Sequence, residues 1–328
     1  MPSPGRFNVL VADFLDETLV EVPILDDVAT LSLGRAMNET ELVPLLPQAD
    51  AIILFHDIPR FSETSFEVAE RCRCIVRAGV GFNNVDLDAA TRHGVQICNV
   101  PDYGTEEVAD HAIMFLLALA RRMLPCHDAI RGGLWNYTTA LGTPRLRGKT
   151  LGLIGCGRIG AATALRAKAF GLNVVFYDPH LPEGVDKALG IHRAHRLEEL
   201  LEQSDFVSLH CYLDESTHHI INPATIARMR AGSILVNTAR GGCVDVAALL
   251  DGLESGRIGF AGLDVVEVEP LDDARLRNHP RVLLSPHSAF YSVEGFVELR
   301  SKAAKEVRRV LLGESPRNPV NRPGPRQD

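Results

Sequence analysis

The run Leu151-Gly-Leu-Ile-Gly155-Cys-Gly157-Arg-Ile-Gly160 constrains this chain more than any other stretch. An apolar strand pattern precedes it and the helical stretch Ala161–Phe170 follows, the context in which G-x-G-x-x-G marks a dinucleotide site. Gly155 allows the tight turn, Gly157 lets backbone approach a pyrophosphate, and Gly160 lets the helix lie close to its strand. The phosphates then meet free N–H groups at the positive end of the helix dipole. A second strand pattern ends at Asp178, eighteen positions beyond Gly160. An acid there accepts from the ribose hydroxyls and repels a 2′-phosphate, so the expected cofactor is NAD (NADH) rather than NADP.

The rest of the chain repeats that rhythm. Strand patterns at Asn8–Ala12, Ala51–Phe55, Cys74–Arg77 and Val95–Cys98 alternate with helical ones near Glu41–Leu46, Glu63–Glu70 and Leu87–His93. A second series begins at Lys149, with strands at Thr150–Ile154, Asn173–Tyr177, Phe206–His210, Ile234–Asn237, Phe260–Asp264 and Val282–Ser285. Alternation of this kind predicts α/β architecture with mostly parallel sheets, and 328 residues allow roughly two domains. Between the series lies an apolar helix, with Thr105 as its expected N-cap and Glu106 and Glu107 in the first turn. Residues 125–147 are less periodic, hold the single tryptophan, Trp135, and read as an arm. A last helix, Val293–Leu312, is expected to return to the first domain, and the Pro- and Arg-rich tail from Glu314 to fray.

Several function classes are disfavoured. A net charge of −8 argues against a nucleic-acid surface. The basic helix stretch Lys305, Arg308, Arg309, interrupted by Glu306, reads as a solvated face. Seven scattered cysteines lack metal-site spacing, so no metal is expected, and they read as reduced thiols of a cytoplasmic protein. Neither a signal peptide nor a membrane span is apparent, the longest apolar run, Ala112–Ala120, being too short for a bilayer.

Three side chains follow strands of the second series: Arg240 after Ile234–Asn237, Glu269 beyond Asp264, and His287 after Val282–Ser285. In an open parallel sheet, ligands bind beyond the carboxyl ends of the strands. The three therefore bring a cation, a carboxylate and an imidazole to one site. That set suits hydride transfer to a ketone beside a carboxylate. Histidine exchanges a proton near neutral pH, a carboxylate on its far nitrogen fixes the tautomer, and arginine offers a planar fork to an anion. Each also has a duller reading, as structural histidine, turn glutamate or salt-bridge arginine; their conjunction outweighs it.

Those residues, with Arg77-Ala-Gly-Val-Gly81-Phe-Asn-Asn-Val-Asp86, Asn237–Gly242, Gly262–Pro270 and Ser285–His287, resemble the D-isomer-specific 2-hydroxyacid dehydrogenases over nearly the whole chain. Leu165–Gly171, Val175–Pro179, Leu209–Cys211, Val236–Val244 and Pro286–Ser292 look most like the C-terminal-binding-protein branch of dehydrogenase-like corepressors. The resemblance implies a Rossmann-type doubly wound NAD domain (102–287), a smaller flavodoxin-like substrate domain (1–101 with 288–328) and a cleft between them. It implies reversible hydride transfer between NAD(H) and a small 2-oxo or 2-hydroxy acid, with Arg240, Glu269 and His287 catalytic and His287 the general acid/base.

Cofactor contacts implied are Gly155, Gly157, Arg158, Ile159, Gly160, Asp178, His210, Cys211, Thr217, Thr238, Ala239, Arg240, Asp264 and His287, with Asp264 meeting the nicotinamide amide. Implied substrate contacts are Arg77, Gly79, Val80, Gly81, Arg240 and Phe290. A homodimer built through the cofactor domain and the arm is also implied. Two positions depart from the pattern: Asn83 replaces the family's usual Asp, and Phe290 replaces the branch's Trp. The residues after His287 hold little beyond one helix and a tail, so serine control through an appended regulatory domain is not expected. Phe82, Phe290 and Tyr291 favour a substrate with an organic side chain over a one-carbon or inorganic anion; His56 and Arg60 stand on a loop that faces either substrate or solvent. The alternative is an NAD(H)-sensing scaffold that recruits protein partners.

Overall fold

Short aliphatic runs pair in register to form two wholly parallel sheets, as strands apolar on both faces do when helices cover them. The computed structural model describes residues 6–324. One compact unit comprises the chain up to Gly104 and from Ser292 onward; the other is Thr105–Tyr291.

The first unit holds β1 (Phe7–Val11), β2 (Ala29–Leu33), β3 (Ala51–Leu54), β4 (Cys74–Arg77) and β5 (Gln96–Asn99), in the order β2-β1-β3-β4-β5. That is the flavodoxin-like order. Ile52, Leu54, Ile75 and Ile97 pack with Leu42, Phe61 and Phe66 in its core. The helix Val293–Leu311 belongs to this unit, with Arg300 buried against Glu21 in a bidentate pair of 2.6 and 2.7 Å.

The second unit holds β6 (Thr150–Ile154), β7 (Asn173–Tyr177), β8 (His192–Arg193), β9 (Phe206–Leu209), β10 (Ser233–Asn237), β11 (Ile258–Leu263) and β12 (Val282–Leu284). Their order, β12-β11-β10-β9-β6-β7-β8, is the Rossmann order with one further strand at the β12 edge. The strand order reverses between β6 and β9, and ligands of such sheets bind beyond the carboxyl ends of the strands at that point. Helix Thr105–Ala120 buries Ala112, Ile113, Phe115, Leu116 and Leu119 in a core with Leu151, Leu153 and Val236.

Several expectations change. The units part after Gly104 and Tyr291, not after 101 and 287. The long helix begins with Thr105 itself as first helical residue rather than cap, and the residues after His287 stay with the second sheet because Ser288 and Ala289 donate to Asp264. The arm opens with a helix, Met123–Arg131, which tolerates Pro125 because first-turn N–H groups have no intrahelical acceptor.

The tail is tied down as far as Asn321: Asn318 O accepts from Asn99 N, Val320 N donates to Ile97 O, and Asn321 Oδ1 accepts from Ile97 N at 2.7 Å. Residues 325–328 lie outside the described residues. Glu306 is not on a solvated face; it is 4% exposed and accepts from the backbone N–H groups of Arg317 and Asn318. Among the described residues no helix is long and apolar enough to cross a membrane.

Candidate active site

The glycine turn has the geometry its spacing demands. Gly155 sits at φ +90°, and a Cβ there would lie 2.7 Å from His210 C and Cys211 N, so only glycine fits between β6 and the end of β9. A Cβ on Gly160 would lie 2.5 Å from Gly155 O, which shows how closely the following helix packs on the turn. Gly157, in contrast, faces open space and is the N-cap of helix Arg158–Ala169, which has no side-chain cap. Its first N–H groups are therefore presented to a ligand rather than to the protein. Arg158 is exposed and Ile159 half-buried at this end. Asp178, just beyond β7, accepts from Cys156 N and His180 N, both at 3.0 Å, so the acid is tied to the turn.

The end of β9 supplies the opposite wall. His210 N donates to Ile154 O at 2.7 Å, and its Nε2 lies 2.9 Å from Ser208 Oγ. Burial pushes the His210 imidazole down to about 4, so it is neutral at neutral pH. Thr217 Oγ1 donates to Tyr212 O and accepts from Asp214 N, closing the loop that carries Cys211. Leu209 pairs with Asn237, so the ends of β9 and β10 lie side by side, His210 next to Thr238. Ala239 is held by its N–H to Asn237 Oδ1 at 3.0 Å. His210 Nδ1 and Thr238 Oγ1 are buried with no protein partner. An open glycine cradle, an uncapped helix end, a tethered acid and two unsatisfied polar atoms together fit a dinucleotide.

The three expected catalytic residues all lie in this unit, on loops after β10, β11 and β12. His287 Nδ1 meets Glu269 Oε2 at 2.7 Å, and Glu269 Oε1 accepts from Val266 N. The Arg240 loop is pressed onto the same segment: a Cβ on Gly241 would fall 1.9 Å from Val266 O. Asn237 Nδ2 donates to Arg240 O, and Arg240 Nη1 to Ala239 O. Phe290 stands edge-on to the His287 ring, centroids 6.5 Å apart, and Tyr291 packs against Phe290.

In the first unit, Arg77 lies beneath the turn Gly79–Gly81. Its Nη1 donates to Ala78 O and fills the space where a side chain at position 79 would stand. Asn99 Nδ2 holds Val80 O at 2.7 Å. Asn83 lies on the loop after this turn; Asn84 is the loop's anchor, donating to Phe55 O and Ile58 O. His56 is half-buried with Nδ1 3.7 Å from Asp57 Oδ2, and Arg60 is exposed.

Two residues not singled out by sequence reasoning join the site. His111 Nε2 lies 2.9 Å from Ser285 Oγ, which donates to Asp264 Oδ1. The one available signal was a histidine within an apolar helix. Glu267 is the second: it accepts from Val246 N and pairs with His219, tying three loops together.

Fold and site define a dinucleotide-binding α/β protein with a carboxylate-steered histidine. Residues 113–289 match the D-isomer specific 2-hydroxyacid dehydrogenase NAD binding domain, and the chain belongs to that family. It is 36% identical over 316 residues to the D-3-phosphoglycerate dehydrogenase of Methanocaldococcus jannaschii, covering 96% of this chain and 60% of that protein. It is 35% identical over 317 residues to the D-3-phosphoglycerate dehydrogenase of Synechocystis sp., covering 97% and 56%. The chain thus spans less than two thirds of the length of these relatives. The solved structure of a glyoxylate reductase from Paecilomyes thermophila is similar with a TM-score of 0.87 at 30% identity, covering 98% of this chain and 99% of that one. That of a D-lactate dehydrogenase from Aquifex aeolicus, complexed with NAD and lactic acid, gives a TM-score of 0.87 at 28% identity, covering 97% and 100%.

Proposed function

We propose that the protein is an NAD-dependent D-2-hydroxyacid dehydrogenase, interconverting a small 2-oxo acid and the D-2-hydroxy acid. The observation that carries this reading is the 2.7 Å contact between His287 Nδ1 and Glu269 Oε2, on a sheet whose reversal point bears the dinucleotide cradle. When bound, the nicotinamide supplies or takes the hydride at the substrate's C2. Glu269, an acceptor only, keeps a proton on His287 Nδ1. Nε2 is then the nitrogen that gives a proton to the carbonyl oxygen during reduction and removes it from the hydroxyl during oxidation. Arg240 binds the substrate carboxylate and polarises the carbonyl through its planar donors. Asp178 selects NAD by repelling a 2′-phosphate. Arg77 braces the turn Gly79–Gly81, whose backbone N–H groups suit an anion.

The protein also forms a homodimer through the arm in this reading. Trp135 is 87% and Tyr137 82% exposed, beside exposed Leu134 and Leu141, an apolar patch of the kind that marks an interface. Light scattering on a sizing column tests that statement, and a monomer at micromolar concentration refutes it.

Purified protein, NADH and a panel of glyoxylate, hydroxypyruvate, pyruvate and branched or thioether 2-oxo acids test the activity. His287→Ala and Arg240→Ala are expected to lose about a hundredfold or more in kcat/KM. No NADH oxidation by the wild type across the panel, or full activity in both variants, overturns the assignment.

A further inference from the structure

Asp264 is 4% exposed at the end of β11, and its acceptors organise the turn that carries His287. Three consecutive N–H groups end on it: His287 N on the backbone carbonyl at 2.8 Å, Ser288 N on Oδ1 at 2.9 Å and Ala289 N on Oδ2 at 3.0 Å. Those bonds hold His287 at φ +53°, a left-handed backbone that residues other than glycine rarely adopt. The turn is therefore as well defined as the orientation of that one carboxylate.

The geometry points to His111 as the positioning residue that fixes the carboxylate: through Ser285 it locks Asp264, and Asp264 locks the His287 turn. Counting protons settles the direction of each bond. Ser285 Oγ lies 2.5 Å from Asp264 Oδ1 and 2.9 Å from His111 Nε2. The hydroxyl has one proton, and a carboxylate oxygen only accepts. If Ser285 donated to His111, two acceptor oxygens would face each other at 2.5 Å with no proton between them. Ser285 therefore donates to Asp264 and accepts from His111, which must carry its proton on Nε2.

His111 Nε2 is 4.0 Å from Asp264 Oδ1, too far for a direct bond, so the hydroxyl is the necessary link. The ring itself is held by an edge-on contact with Phe115, centroids 4.6 Å apart, on the same helix, Thr105–Ala120. Burial lowers the His111 pKa from the ordinary histidine value, against the opposing charge of Asp264, and so favours the neutral ring. The consequence for catalysis rests on the dehydrogenase reading; the hydrogen-bond relay itself does not.

The test uses His111→Leu, Ser285→Ala and His111→Gln in the full-length protein. Gln is the conservative variant because its amide N–H reaches about where Nε2 stands. Without any ligand, amide hydrogen exchange at Ser288 and Ala289 is expected to quicken about tenfold or more in the Leu and Ala variants and to return toward wild type in the Gln variant. Nitrogen-15 spectra of wild type are expected to place the His111 proton on Nε2. With NADH and the best 2-oxo acid of the panel, kcat falls about tenfold to a hundredfold in the Leu variant. The NADH dissociation constant stays within about twofold, and the Leu/Ala double variant loses no more than the Ala variant alone.

Unchanged exchange in both variants, a His111 proton on Nδ1 alone, or a Gln variant as impaired as the Leu variant overturns the relay. If the wild type oxidises no NADH yet shows the exchange pattern, the relay stands and the enzyme reading falls. If the wild type is active and the Leu variant equals it in kcat, the relay falls and the enzyme reading stands.

Discussion

Glu269 uses its two oxygens differently: Oε2 meets His287 Nδ1 at 2.7 Å, while Oε1 accepts from the Val266 N–H. The carboxylate is thus oriented by its own loop before it orients the ring. Glu269→Gln leaves the volume unchanged but places an amide where both positions call for an acceptor. Either Val266 N loses its partner or His287 Nδ1 faces a donor, which holds the ring in the wrong tautomer. We expect kcat to fall about a hundredfold or more with NADH affinity unchanged. Steady-state rates and a fluorescence titration of NADH measure the two quantities, and a kcat within twofold of wild type would show that the pair is only structural.

Gly241 couples the arginine loop to the glutamate loop. A methyl group there would sit 1.9 Å from Val266 O and 2.0 Å from its carbon, both backbone atoms that have no rotamer to adopt. Gly241→Ala must therefore push the Arg240 segment away from the segment that leads to Glu269. Overpacking of this kind costs about 1–3 kcal/mol, a Tm lower by about 2–10 °C in a unit of this size. The loss of kcat/KM is expected to be larger than stability explains, about a hundredfold, because Arg240 is displaced by an ångström or more. Calorimetry beside kinetics at a temperature far below Tm separates the two, and a variant with lowered Tm but normal kcat/KM refutes the coupling.

Asp178 serves two partners at once, the ribose expected of NAD and the N–H groups of Cys156 and His180. Asp178→Ser keeps a short acceptor for the turn and removes the negative charge. The ratio of kcat/KM for NADPH to that for NADH is expected to rise about tenfold or more, the worth of about 1.4 kcal/mol of relieved repulsion. Absolute NADH activity falls as well, since the turn loses one anchoring bond. A ratio that does not move would show that the 2′-phosphate is excluded by shape rather than charge.

What the sequence made legible follows from where the constraint resides. The glycine turn was readable because each glycine answers a steric demand within a few residues of itself: Gly155 against β9, Gly160 against Gly155 O. Strand β2 was missed because Ala29–Leu33 is an edge strand buried on one face only, with Thr30 and Ser32 interspersed. Strand β8 has two residues and no pattern to show. The tail looked frayed by composition, yet Asn318, Val320 and Asn321 line the edge of β5 from more than two hundred positions away. Glu306 looked solvated because its run is charged; its partners are backbone N–H groups eleven and twelve residues on. His111 was hidden for the same reason, its hydroxyl partner lying 174 positions along the chain. Local geometry is written locally; hydrogen bonds that close a tertiary structure are not.

Asp13 gives the first unit a pH dependence of unusual sign. It is fully buried just after β1, with Oδ1 accepting from Phe55 N at 3.0 Å and Oδ2 from Ile58 N at 3.2 Å. Burial pushes its pKa up to about 7; Asp57 adds to the rise, while the two N–H bonds and Arg77 oppose it. Between the ordinary carboxyl range and about 7 the unfolded chain has released this proton and the folded one retains it. The unfolded state then binds fewer protons, so this group's contribution makes stability fall as pH rises through that window and levels off above it. Asp13→Asn cannot ionise and lacks that slope, although its amide gives Ile58 N a donor to face and so lowers stability at every pH. The Tm of the variant minus that of wild type is therefore expected to start negative near pH 5 and climb steadily toward pH 7.5. Thermal melts in matched buffers measure the difference, in which the exposed carboxylates common to both proteins cancel. A difference that stays flat across the window would mean that Asp13 is ionised in the folded protein throughout.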